Sequence, residues 1–137
     1  MNPEDLKRRT KQFALRILKL VAVLPKTVEG RTLGGQLVRA GTAVGANYRA
    51  TCRSRSRAEF VARIGVVEEE ADESAYWLEL IIEGELLKAQ QVAPLLNEAN
   101  ELAKIMASSR ISASAPLAVK LTSQSAIINR KSEMNHG

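Results

Sequence analysis

Residues Leu33–Trp77 read LGGQLVRAGTAVGANYRATCRSRSRAEFVARIGVVEEEADESAYW. Small and apolar residues recur at helical spacing on both sides of a short arginine-rich break. The stretch is therefore read as two consecutive helices joined by a turn. Its glycines permit close helix approach, and its charges divide the molecule. Arginines gather before the break and in it, and carboxylates follow in a run from Glu68 to Glu73.

Working outward, four helices are predicted. The first runs from about Pro3 to Val23. Leu6, Thr10, Phe13, Ile17, Leu20 and Leu24 form a heptad-like stripe on one face. Asn2 caps it, Pro3 suits the first helical position, and Glu4 and Asp5 face the positive dipole end. Pro25 stops it, and Lys26–Arg31 is read as a polar loop containing Gly30. The second helix is expected from Thr32, as cap, to about Cys52, with Leu33, Leu37, Gly41, Val44 and Tyr48 on one face. A helix that keeps Gly34, Gly35, Gly41 and Gly45, at roughly 1 kcal/mol each relative to alanine, needs close backbone contact at some of them. Gly41 and Gly45 lie one turn apart.

The third helix is expected from about Ser56 to Lys88, about 50 Å at 1.5 Å per residue. Ser56 and Glu59 match a capping box, and Phe60, Ile64, Val67, Ala71, Ala75, Leu78 and Ile82 form its apolar stripe. Gly84 marks a kink or fraying near its end, and Ala89–Gln91 a turn. The fourth helix is expected from about Val92 to Arg110, with Leu95, Leu96, Ala99, Leu102 and Met106 inward. Pro3, Pro25 and Pro94 are read as helix starts or stops, and Pro116 as part of a linker. Four amphipathic helices with short connections predict an all-α, antiparallel up-down-up-down four-helix bundle over residues 1–111. Residues 112–137 lack sustained periodicity and read as a disordered tail, with short apolar patches at Leu117–Leu121 and Ile127–Ile128.

Composition bounds the function. The chain has 137 residues, 45% apolar but only 4% aromatic, which suits a single helical domain built on Leu, Val, Ile and Ala. One cysteine excludes an internal disulfide framework. Arg16 and Lys19 interrupt the N-terminal apolar run, so it reads as an amphipathic helix rather than an export signal, and a cytoplasmic protein with no membrane span is expected. The net charge of +5 is polarised: residues 1–57 hold 13 Lys/Arg against 3 Asp/Glu, residues 58–112 hold 4 against 11, and residues 113–137 hold 3 against 1. Such halves pair with one another, within or between subunits, or the basic one meets a polyanion.

The order and spacing of several short motifs carry a resemblance. They are Gln36-Leu37-x-Arg39-Ala40, Val44-Gly45-Ala46-Asn47-Tyr48, Arg55-Ser56-x-x-Glu59-Phe60, and a Glu-rich helix leading to Tyr76-Trp77-Leu78. Over roughly residues 10–110 the chain resembles the four-helix bundle proteins encoded within intervening sequences of bacterial large-subunit ribosomal RNA genes. The family's usual Ala-Asn-Ile-Ala-Glu-Gly segment stands here as Ala46-Asn47-Tyr48-Arg49-Ala50-Thr51, an arginine-bearing variant. The resemblance implies an antiparallel bundle that assembles into a homo-oligomer, a ring of five. It also implies kinship to accessory proteins of diversity-generating retroelements, which bind nucleic acid and a reverse transcriptase.

The candidate site is the cluster Arg39, Arg49, Arg53, Arg55 and Arg57. Arginine forks bind phosphates bidentately, and with only Tyr48 interleaved, recognition of RNA shape and backbone is favoured over base stacking. The competing assignment pairs these arginines with Glu68, Glu69, Glu70, Asp72 and Glu73, inside the bundle or across a subunit interface. No metal or other cofactor is expected: a bundle di-iron site needs Glu-x-x-His motifs, and the only histidine is His136. No GxxxxGK[ST] or GxSxG segment occurs, and Cys52 has no helical histidine to activate it. Tyr76 and Trp77 read as core or interface, and Asn47 as a register-setting contact to a neighbouring helix or an exposed side chain. The expectation is a non-enzymatic homo-oligomer binding structured RNA or an RNA–protein complex. The alternative is a protein-interaction scaffold with no nucleic-acid role.

Overall fold

The computed structural model describes residues 1–115. Four helices follow in order: α1 (Pro3–Ala22), α2 (Val28–Thr51), α3 (Arg57–Glu83) and α4 (Ala89–Ser114). Each packs on its neighbour in sequence, and α1 also packs on α4, so that α1 and α3, like α2 and α4, lie diagonally across the core. This is the antiparallel four-helix bundle expected. The tail from Pro116, with its two apolar patches and His136, lies outside the described residues.

α1 forms where its caps and stripe dictate. Asn2 accepts a hydrogen bond from the Asp5 N–H at 2.8 Å, and all six stripe residues are buried. Thr10 is the polar member of that stripe. Its hydroxyl donates to the Leu6 carbonyl at 2.7 Å, so burial leaves no unmet donor.

α2 begins five residues earlier than expected. Thr27, not Thr32, is the cap, and its Oγ1 accepts from the Gly30 N–H at 3.1 Å. Gly30 therefore lies in the first turn of α2 and is buried, not in a polar loop. The glycines at 41 and 45 do let helices approach: a Cβ at Gly41 would sit 2.8 Å from Ile17 Cγ1, and one at Gly45 3.3 Å from Thr10 Oγ1. Both contacts are with α1.

α3 ends at Glu83, short of the expected Lys88. The Glu85 N–H donates to the Ile82 carbonyl at 2.9 Å and the Leu86 N–H to the Ile81 carbonyl at 3.0 Å. These two bonds form a Schellman turn, in which the residue after the cap adopts the left-handed conformation. Gly84 is the cap itself, and the left-handed position falls to Glu85, with φ 60°. A non-glycine residue there costs about 1–2 kcal/mol. Glu85→Gly is accordingly expected to raise stability by about 0.5–1 kcal/mol, part of the relief being offset by the looser unfolded chain. A thermal melt checks this, and a lower Tm would contradict it.

α4 starts at Ala89, where Gln91 Oε1 accepts from the Lys88 N–H at 3.1 Å. Pro94 sits inside its second turn rather than at its start, which removes one backbone hydrogen bond. α4 also continues to Ser114, past the expected Arg110.

The core runs the length of the bundle through Phe13, Ile17, Leu37, Val44, Ile64, Val67, Leu78, Ile81, Leu102 and Met106. Where α1 meets α4, the seam is closed by an ion pair. Arg9 Nε lies 2.7 Å from Glu98 Oε2, and its Nη2 donates to Oε1 at 2.8 Å. Because the pair is half-buried and bidentate, Arg9→Ala is expected to cost about 1–2 kcal/mol, between the values of exposed and buried pairs. Chemical denaturation measures it, and a loss below about 0.5 kcal/mol would show the pair to be a surface one.

Candidate nucleic-acid interface

The antiparallel topology gathers the start of α1, the end of α2, the start of α3 and the end of α4 at one pole of the bundle. The Arg57 guanidinium donates to the Ala115 carbonyl at 3.3 Å, which sets the residue capping α4 beside the first of α3. Arg49 lies in the last turn of α2, Arg53 and Arg55 in the turn that follows, and Arg57 at the first position of α3. All four are exposed.

The fifth candidate, Arg39, stands apart. It lies mid-helix in α2 and pairs with both Glu70, at 3.4 Å, and Glu73 on α3. For Arg39 the pairing assignment holds. Arg49, Arg53, Arg55 and Arg57 make no ion pair within the chain among the described residues. Arg53 reaches only the Arg49 carbonyl, at 3.4 Å.

The carboxylates of this pole are already taken: at the start of α1, Glu4 pairs with Lys7 and Asp5 with Arg8. Ser56 caps α3 by accepting from the Glu59 N–H at 3.0 Å, and Glu59 Oε1 accepts from the Arg55 N–H at 2.6 Å. Glu59 also pairs with Arg63 at 3.1 Å. Arg63 itself crosses to the end of α2 and donates to the Ala50 carbonyl at 2.7 Å. It is a structural arginine that the sequence reading passed over, though its position one turn after Glu59 is the spacing of a helical ion pair.

The pole is electrostatically unsettled as a result. Arg49 and Arg53 lie near the negative end of the α2 dipole and are favoured there. Arg55 and Arg57 lie at the positive end of α3, where a cation is disfavoured by about 0.3–1 kcal/mol. An anion at this pole would relieve that cost and meet the open N–H groups of a helix start.

Other candidates settle differently. Cys52 is the exposed C-terminal cap of α2. Tyr48 is buried, and burial, with Cys52 beside it, pushes its phenol above the ordinary value, so it stays neutral and protonated. Asn47 Nδ2 donates to the Ala43 carbonyl of its own helix at 2.9 Å, not to a neighbouring helix. Tyr76 is exposed rather than in the core, with its ring edge-on to Trp77 at 5.1 Å. Trp77 is half-buried and donates to Glu73 at 3.1 Å. Among the described residues no group of metal-binding side chains is gathered. No helix among them is long and apolar enough to cross a membrane.

No curated protein matches the chain. Among solved structures, it is similar to a protein of unknown function from the S23 ribosomal protein family of Bacteroides thetaiotaomicron VPI-5482. The two share 32% identity and a TM-score of 0.72, over 80% of this chain and 98% of that one. Residues 4–108, nearly the whole bundle, match the model of the 23S rRNA-intervening sequence protein, and the chain belongs to that family.

Proposed function

We propose that the chain is a non-enzymatic, self-associating helical bundle that binds structured RNA through its phosphate backbone. The observation that carries this is the pole itself. Arg49, Arg53, Arg55 and Arg57 are exposed, share no carboxylate, and sit partly against a helix dipole, while Arg9, Arg39, Arg63 and Arg110 are paired. Guanidinium forks without base-stacking aromatics beside them suit A-form backbone geometry. Repeating the pole on each subunit of an assembly multiplies affinity through effective concentration.

The test is fluorescence anisotropy of a labelled RNA hairpin titrated with the full chain. Saturable binding is expected, with Kd of roughly 1–100 μM for a single pole and tighter for an assembly. No change in anisotropy at low salt would leave the protein-interaction scaffold as the better reading.

A further inference from the structure

A second group of unpaired cations lies at the other end of α2 from the arginine pole. Lys26 stands just before the helix and Arg31 in its first turns, and the Arg31 guanidinium donates to the Lys26 carbonyl at 2.8 Å, which keeps the two together. Both are exposed, and neither makes an ion pair within the chain among the described residues. Arg31 and Arg49 fall on one face of α2 at helical spacing, with Gly35, Thr42 and Ala46 between them. That face borders the α1 seam and is turned away from α3, because each of the three follows a glycine packed on α1. A Cβ at Gly34 would lie 3.1 Å from Val21 Cγ1, one at Gly41 2.8 Å from Ile17 Cγ1, and one at Gly45 3.3 Å from Thr10 Oγ1.

No carboxylate interrupts this face. Glu29, the only one in α2, is two residues from Arg31 and so lies on another side of the helix. α1 holds none after Asp5. Arg39 is drawn off to Glu70 and Glu73 on α3. A face with unpaired cations at both ends and little bulk between them suits a long, rigid polyanion. Arg31 and Arg49 are roughly 27 Å apart along the helix axis. One turn of duplex is roughly 34 Å long in B-DNA and shorter in the A form, so a duplex laid along α2 carries a backbone past both groups. Gly35 adds to the fit. Nothing in the chain lies within 4 Å of a Cβ there, yet the helix keeps a glycine against its propensity, as the close approach of another molecule requires.

We infer that α2 binds double-stranded RNA lengthwise, with phosphates held at the arginine pole and again at Lys26 and Arg31, and the duplex surface resting on the residues between. The two cation groups, at opposite ends of one carboxylate-free face, carry the inference. It rests on the RNA reading above and narrows it from structured RNA in general to a duplex about one turn long or more. Shape and backbone are what such a partner offers, and α2 presents no aromatic side chain on this face for stacking on bases.

Anisotropy with two RNA hairpins tests it on the full chain. One has a stem of about 16 base pairs, and the other a stem of about six, too short to reach both groups. The wild type is expected to bind the long stem about tenfold more tightly or better, since the second contact is made at high effective concentration. Lys26→Glu with Arg31→Glu is expected to weaken the long stem about 100-fold, as the loss of two charge-assisted contacts does, and to take about 2 units from its salt slope. The short stem should bind this variant as it binds the wild type. As an independent probe, Gly35→Gln with Ala46→Gln adds bulk without charge, and should weaken the long stem severalfold while Tm stays at or above the wild-type value. A Lys26, Arg31 variant that binds both stems as the wild type does, or weakens both alike with its melt unchanged, would overturn the inference. So would a wild type that binds the two stems, or an unpaired strand of the long stem's length, equally well. Those outcomes leave RNA binding at the arginine pole standing and give the α2 face to a protein partner. A wild type that binds no RNA in any form overturns that reading and this inference with it.

Discussion

Gly30→Ala is expected to destabilise the bundle by about 2 kcal/mol or more, at the upper end of overpacking costs. A Cβ at Gly30 would lie 2.0 Å from the Pro25 carbonyl oxygen and 3.0 Å from its carbonyl carbon. Both atoms are backbone, so no side chain can rotate away. After α1 ends at Ala22 the chain turns at Pro25 against the first turn of α2, and only a glycine lets the two backbones pass. Alanine's better helix propensity returns about 1 kcal/mol and does not offset the clash. For a domain of this size a loss of 2 kcal/mol lowers Tm by roughly 8 °C. Gly35 is the control. Nothing lies within 4 Å of a Cβ there, so Gly35→Ala should gain about 0.5–1 kcal/mol. A Gly30→Ala chain that melts at or above the wild type would show that the turn is not as tight as described.

Arg53→Glu combined with Arg55→Glu is expected to weaken RNA binding by about 100-fold. Each arginine supplies a charge-assisted contact of about 1.5 kcal/mol or more, and roughly 3 kcal/mol in total is a factor of about 100. Repulsion between the introduced carboxylates and phosphate adds to this. Stability should stay within about 0.5 kcal/mol, because both side chains are exposed and the single contact at stake is the long one from Arg53 to the Arg49 carbonyl. Arg39→Glu is the informative contrast. It leaves the pole intact but breaks a link between α2 and α3, so it should move the melt more than the binding. If the double variant unfolded or failed to assemble, its arginines would belong to the fold or to a subunit interface.

The parts of this architecture legible in the sequence are those where several local signals agree. The caps, the proline stop and the stripe of α1 all point one way, and every stripe residue is buried. Gly41 and Gly45 declared a close approach because nothing else excuses two glycines mid-helix. The errors lie at helix ends, where glycine has two meanings. Gly30 reads as a loop residue but serves a contact inside α2. Gly84 reads as the flexible position, yet Glu85 takes the left-handed conformation beside it. Pro94 reads as a boundary, although α4 accommodates it in its second turn.

The division of the arginines was legible in part. In an antiparallel hairpin that turns at residues 52–56, Arg39 falls opposite the carboxylate run of α3, and Glu70 and Glu73 do pair with it. By the same folding-back, Arg49 and Arg53 fall opposite residues 55–63, where Glu59 is the sole carboxylate. That Arg63 and the Arg55 backbone occupy Glu59 depends on three-dimensional contacts, and no spacing rule announced it. Exposed apolar residues on α1 and α3 were hidden for a related reason. Leu15 and Leu18 look in the sequence like more of the same apolar run, and only the placement of the core shows which side they face.

The central claim is that the arginine pole binds RNA by its phosphates, and the salt dependence of binding tests it most directly. Kd for the RNA hairpin should be measured on the full wild-type chain across a range of monovalent salt. Log affinity is expected to fall linearly with log salt, with a slope near −3 to −4 for each engaged pole if all four arginines contact phosphates. The Arg53→Glu, Arg55→Glu chain should lose about 2 units of that slope. Binding whose strength is unchanged by salt, or a slope that survives the double substitution intact, would contradict it.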